Sequence, residues 1–131
     1  MKKNGIMNRD IAAVLAKLGH TDRIVIADCG LPIPNHVECI DISLQIGEPS
    51  FLSVLYKIAE EMEVEAITLA EEIKIQNQKV NKNITSLFNG KKINYLTHES
   101  LKQQVYDVKA IIRTGEATPF SNVILQAGVI F

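Results

Sequence analysis

The sequence predicts an α/β fold: a three-layer α/β/α domain with helices on both faces of a mixed, mostly parallel sheet. Three observations lead there. Apolar runs without alternation, such as Ile24-Val25-Ile26-Ala27, read as strands buried on both faces. Stretches with apolar residues at helical spacing lie between them. Glycine, proline or a capping Ser, Thr or Asn falls at most of the boundaries. No repeat, linker or low-complexity segment divides the chain, so residues 1–131 are expected to form one domain.

Asn8 is a good N-cap for a helix in which Ile11, Val14, Leu15 and Leu18 share a face. Gly19 is expected to stop it in the left-handed C′ position. Arg23 to Ala27 is the first strand, and Gly30-Leu31-Pro32-Ile33-Pro34-Asn35-His36 is a loop stiffened by two prolines. Val37 to Ile42 is a second strand. Ser50 caps a helix carrying Phe51, Leu52, Val54, Leu55, Ile58, Ala59 and Met62. Val64 to Ala70 reads as a third strand, with Val64, Ala66 and Thr68 on one face and Glu65, Ile67 and Leu69 on the other.

A helix follows Asn77, with Val80, Ile84, Leu87 and Phe88 aligned until Asn89-Gly90. Ile93 to Leu96 is a short strand, and Thr97 caps a helix through Leu101 and Val105. Val108 to Arg113 and Val123 to Gln126 complete the strands. The short final pieces predict some antiparallel pairing. Between them, residues 114–122 are too polar and bent for either element.

Composition narrows the function. A formal net charge of -1, from 14 basic and 15 acidic residues without a basic block, argues against nucleic acid or an anionic membrane as partner. No apolar run approaches the roughly 20 residues needed to cross a bilayer. Met1-Lys2-Lys3-Asn4-Gly5 lacks a following apolar core, which argues against a secretion leader. Two cysteines, Cys29 and Cys39, read as small buried residues in a reducing cytoplasm.

Phosphate-loop, dinucleotide, zinc and nucleophile-elbow signatures are absent, so the expected site is built from side chains without metal or cofactor. Asp28 ends a strand, where ligand sites of α/β sheets gather, and His20 lies in the loop feeding that strand. An imidazole and a carboxylate in one short segment suit acid–base work. Each has a plainer role as well: His20 as a turn residue favoured by the helix dipole, Asp28 as a local backbone cap. His98 follows a strand end, and His36 reads as an exposed spectator. Glu71-Glu72 is either an acid–base pair or a first-turn charge pair. Lys102 shares a helical face with His98. In the loop from Arg113 to Asn122, Gly115 permits unusual backbone angles, Phe120 offers a flat apolar face, and Asn122 offers a donor and an acceptor. An aromatic plane beside an amide suits a neutral polyol, although Phe120 would equally fill a core.

Taken together, these segments carry a resemblance. Gly19-His20-Thr21-Asp22, Ile26-Ala27-Asp28-Cys29-Gly30-Leu31-Pro32-Ile33-Pro34, Ala70-Glu71-Glu72-Ile73-Lys74, Thr97-His98-Glu99, Ile112 to Asn122 and Ile124 to Phe131 resemble the D-ribose pyranase family, related to the L-fucose mutarotases. The likeness runs from the first helix to the last residue, and the Gly-Leu-Pro-Ile-Pro loop looks like the ribose branch. It implies a cytoplasmic isomerase, without metal or cofactor, that interconverts β-pyranose and β-furanose D-ribose and supplies furanose for ribose catabolism. By position it implies His20 as proton donor, and Asp28, His98, Phe120, Ser121 and Asn122 as sugar-binding residues. Phe120 departs from the tyrosine usual in relatives. The resemblance further implies a homodecamer of two stacked pentameric rings with sites shared between subunits, Phe120 and Asn122 reaching a neighbour's His20. The apolar end Val129-Ile130-Phe131 is compatible with such assembly. Two alternatives remain open here: a ribose-binding accessory protein without catalysis, and a mutarotase for another sugar such as fucose.

Overall fold

A computed structural model describes residues 1–131. The elements are α1 (Arg9–Lys17), β1 (Arg23–Ala27), β2 (Glu38–Asp41), α2 (Phe51–Glu61), β3 (Val64–Ala70), α3 (Ile73–Gln76), α4 (Gln78–Leu87), β4 (Lys92–Leu96), α5 (His98–Gln104), β5 (Ala110–Arg113) and β6 (Val123–Ala127). A 3₁₀ turn over Val105–Asp107 follows α5. The sheet order is β2-β5-β1-β6-β3-β4. β1, β2, β3, β4 and β5 run one way, and only β6 runs against them, paired antiparallel to β1 and β3. The expected mixed, mostly parallel sheet is therefore present.

Local chemistry explains the element starts. Asn8 Oδ1 accepts the N–H groups of Asp10 and Ile11, both at 3.0 Å, and Ser50 Oγ accepts that of Ser53 at 3.2 Å. Thr97 Oγ1 does the same for Ser100 at 3.2 Å. One terminus differs from expectation. Leu18 leaves α1 in extended backbone, and the left-handed residue is Thr21 (φ 68), not Gly19. The turn is closed by Asp22, whose Oδ2 accepts the Gly19 N–H at 2.9 Å, while the Thr21 N–H donates to the Ala127 carbonyl. A side chain and a neighbouring strand thus supply what a glycine C′ cap would have supplied.

Helices lie on both faces of the sheet, unevenly. One core of 22 buried residues joins α1, α2, α3 and α4 to Ile24, Ile26, Ile67, Leu69, Ile112 and Leu125. The other has 9, with Leu101 and Val105 packed over Val25, Ile111 and Ile124. That smaller cover leaves part of the second face open. Thr68, Asn94 and Gln126 there are only partly buried and, with Arg23 and Gln104, line a polar cavity of about 350 Å³. The simple alternation expected for β3 gives way accordingly, with Val64, Ala66, Ile67, Leu69 and Ala70 all buried. Parallel strands covered on both sides lose the two-period pattern.

Candidate active site

Because β6 alone is reversed, one end of the sheet gathers the residues after β1, β3, β4 and β5 and those before β6. Asp28, Glu72, His98 and the loop 114–122 all lie at that end. Asp28, Gly30, Leu31, His98, Pro119, Phe120 and Asn122 line a cavity of about 230 Å³ there.

A two-point pair anchors the floor. The Asp28 backbone N–H donates to Asn122 Oδ1, and Asn122 Nδ2 donates to Asp28 Oδ2, both at 2.9 Å. Asn122 is 1% exposed, so its amide is fixed in one orientation. Asp28 Oδ1 also accepts the Gly30 N–H at 2.9 Å. The plain capping role of Asp28 and its placement in the cavity therefore coexist. Opposite, Phe120 meets the His98 ring edge-on, with centroids 5.1 Å apart and planes at 79°. His98 Nδ1 is buried and has no hydrogen-bond partner within the chain. The residue itself lines the cavity, and a buried polar nitrogen of this kind is uncommon in a folded protein.

The supports come from residues far apart in sequence. Both oxygens of Glu72 accept the His98 backbone N–H at 3.0 Å, which settles Glu72 as a brace for His98 at the start of α5. Asn77 Nδ2 donates to Thr118 Oγ1 and the Pro119 carbonyl at 2.9 Å and to Ser121 Oγ at 3.0 Å. Those bonds hold Phe120 at φ 58, an unusual backbone for a bulky residue. Asn77→Ala is expected to raise the KM of a substrate held in this cavity about fivefold with a smaller change in kcat, because the loop that presents Phe120 loses its tether. Steady-state kinetics checks this.

Glu116 braces the same loop from below. Burial pushes its carboxyl up, but the N–H groups of Thr118, Phe51 and Ala117 and the Thr118 hydroxyl outweigh that, leaving it below the usual carboxylate range. Gly115 is not in a left-handed conformation. A Cβ there would lie 2.2 Å from the Glu48 carbonyl oxygen and 2.4 Å from that of Gln45, so glycine is required by close backbone approach rather than by its dihedral angles.

The matching family model covers residues 1–130 and describes the RbsD / FucU transport protein family. The chain belongs to that family. A D-ribose pyranase of Bacillus cereus is 57% identical over 131 residues, covering all of both chains. One from Halalkalibacterium halodurans is 58% identical over the same span. Among solved structures, Bacillus subtilis RbsD complexed with D-ribose superposes with a TM-score of 0.98 at 53% identity, covering 100% of each chain. The fucose mutarotase of Streptococcus pneumoniae, in complex with L-fucose, shares the fold at TM-score 0.81 and 24% identity over 95% of each chain.

Of the residues singled out in the sequence, Asp28, His98, Phe120 and Asn122 meet at one cavity. Ser121 is fully buried beneath them, its Oγ engaged with Asn77 and 2.9 Å from Thr118 Oγ1. His20 does not join them within the chain. It precedes β1 while Asp28 follows it, and a five-residue strand is about 17 Å long. The imidazole and carboxylate that sit close in sequence therefore stand at opposite ends of the sheet. Lys102, aligned with His98 by periodicity, is paired with Glu99 at 2.6 Å. His36 is exposed, its Nε2 2.9 Å from the Tyr106 carbonyl. Glu65 and Asn77 escaped the sequence reading as site residues because each acts through a partner at least 41 positions away, and no local motif marks such a pair.

Proposed function

We infer that this protein is an isomerase that interconverts the β-pyranose and β-furanose forms of D-ribose. The observation that carries the reading is its full-length likeness to RbsD with D-ribose bound, at TM-score 0.98 and 53% identity. The curated D-ribose pyranases, at 57% and 58% identity over the whole chain, agree with it. The cavity suits the substrate: a carboxylate–amide pair for hydroxyls, an aromatic ring for the C–H face, and the His98 imidazole beside them.

In the proposed site Asp28, His98, Phe120 and Asn122 hold the sugar, with Ser121 shaping the loop beneath. His20 delivers a proton to the ring oxygen as the C1–O bond breaks and the anomeric hydroxyl loses its proton. Closure by a different hydroxyl reverses these transfers. Ring opening needs only proton movements, which imidazole performs near neutral pH. Since His20 lies at the other end of the sheet, it serves the cavity of a neighbouring subunit. The proposed assembly is the homodecamer of two stacked pentameric rings. Its support is that geometry and the exposed apolar residues Leu44, Ile46, Ile130 and Phe131, which are 81%, 85%, 92% and 99% exposed. One domain over residues 1–131 and a cytoplasmic setting complete the proposal. No helix is long and apolar enough to cross a membrane.

NMR exchange between the anomeric signals of D-ribose tests the function. Acceleration by a catalytic amount of protein is expected. Acceleration with L-fucose alone would reassign the substrate, and binding without exchange would make this an accessory protein. Phe120→Tyr is expected to lower the KM for ribose about fivefold, the worth of one added hydrogen bond of about 1 kcal/mol, with the fold unchanged. An unaltered KM would mean that the ring face alone does the binding.

A further inference from the structure

His20 is bonded to a carboxylate that no sequence motif marks. Its Nε2 lies 2.9 Å from Glu65 Oε2, and Glu65 Oε1 accepts a hydrogen bond from Gln126 Nε2 at 2.6 Å. The three groups come from the turn before β1, the beginning of β3 and the end of β6. Only the reversed course of β6 brings Gln126 to the edge where β1 and β3 begin, opposite Arg23 and Ala66. The register between β3 and β6 shifts between Val64 and Ala66, so Glu65 is the residue that the irregularity re-aims.

We propose that Glu65, steadied by Gln126, is the positioning residue of His20: it keeps the proton on Nε2 and leaves Nδ1 as the atom that exchanges protons with the sugar. This rests on the reading of His20 as the proton donor. An ionised carboxylate only accepts hydrogen bonds, so the ring nitrogen it touches must carry hydrogen. The lone pair of the neutral ring is then on Nδ1, and the imidazolium donates from Nδ1. In ring opening the Nδ1 proton passes to the ring oxygen as that oxygen takes the C1–O electron pair, and the anomeric hydroxyl gives its proton to water. In closure the attacking hydroxyl returns a proton to Nδ1, and the carbonyl oxygen takes one from water. His20 ends as it began.

The neighbouring charges leave this role to Glu65. Asp22, in the same turn, accepts the Gly19 N–H and has Lys109 Nζ 3.6 Å away. Glu63 is bonded to Lys91 Nζ at 2.7 Å. Hydrogen bonds from Gln126 and His20 hold the Glu65 carboxyl below its usual range, so it is ionised where the imidazole works. Asp28, which the sequence reading set beside His20, is at the far end of β1 and cannot reach the same chain's ring.

Glu65→Gln tests the proposal. Its kcat for ribose exchange should fall about tenfold with KM nearly unchanged, because Glu65 orients the ring without touching sugar. Nitrogen-15 spectra of the His20 ring should show the neutral wild-type proton on Nε2 and a mixture of tautomers in the variant. Glu65→Asp, which keeps the charge, should recover part of the loss. An unchanged kcat together with an unchanged tautomer in Glu65→Gln would overturn the role of Glu65. A fully active His20→Ala would instead overturn the assignment of His20 itself.

Discussion

Replacing His20 with alanine is expected to remove most of the acceleration of ribose exchange, a loss of about 100-fold or more, while the protein stays folded and still binds sugar. The two halves of that expectation have separate causes. The His20 imidazole is the group assigned to carry the proton in the proposed site. Its side chain is 53% exposed, and its partner within the chain is a single carboxylate on the surface. Loss of such a side chain moves the melting temperature by only about 2 °C. Exchange NMR gives the rate and a thermal melt gives the fold. Full activity in the variant would remove His20 from the mechanism.

Asn122→Ala is expected to act in the opposite way, through binding and stability together. Its amide is 1% exposed and satisfies both the Asp28 backbone N–H and one Asp28 carboxylate oxygen. Truncation leaves both groups short of a partner in a half-buried position, at a cost of about 2 kcal/mol, and frees the carboxylate proposed to meet the sugar. A lower denaturation midpoint and a much weaker ribose titration are the readouts. The variant also reports on assembly. When His20→Ala and Asn122→Ala subunits are mixed and allowed to exchange, sites that draw the two residues from different subunits should be intact in about a quarter of cases. Sites built within one subunit would recover nothing. Asp28→Asn, which keeps the shape of the pair, serves in place of Asn122→Ala if that subunit assembles poorly.

The interior of the fold was legible because its signals are local. Ile24 to Ala27 announced a strand buried on both faces, and Asn8, Ser50 and Thr97 announced the starts of α1, α2 and α5, since caps and apolar runs act within a few residues. The short helix α3, over Ile73–Gln76, was signalled only by Glu71-Glu72 as a first-turn charge pair, because four residues carry too little periodicity to read. Gly19 and Gly115 were both marked as special, but their reasons lie elsewhere. Gly19 sits in a turn closed by Asp22, and Gly115 is pressed against the backbone of Gln45 and Glu48.

The sequence by itself determined the layered α/β class, most element boundaries and, through the joint occurrence of its motifs, the family and the residues of the candidate site. Tertiary structure alone decided which of those residues meet. Reversal of one strand, β6, sets Asn122 beside Asp28 at one end of the sheet and Gln126 beside Glu65 and His20 at the other. It also separates His20 from Asp28, eight positions away in the chain, by the length of a strand. Proximity along a chain is set by bond lengths, but proximity across a sheet is set by strand order and direction, which depend on how buried faces pack at long range.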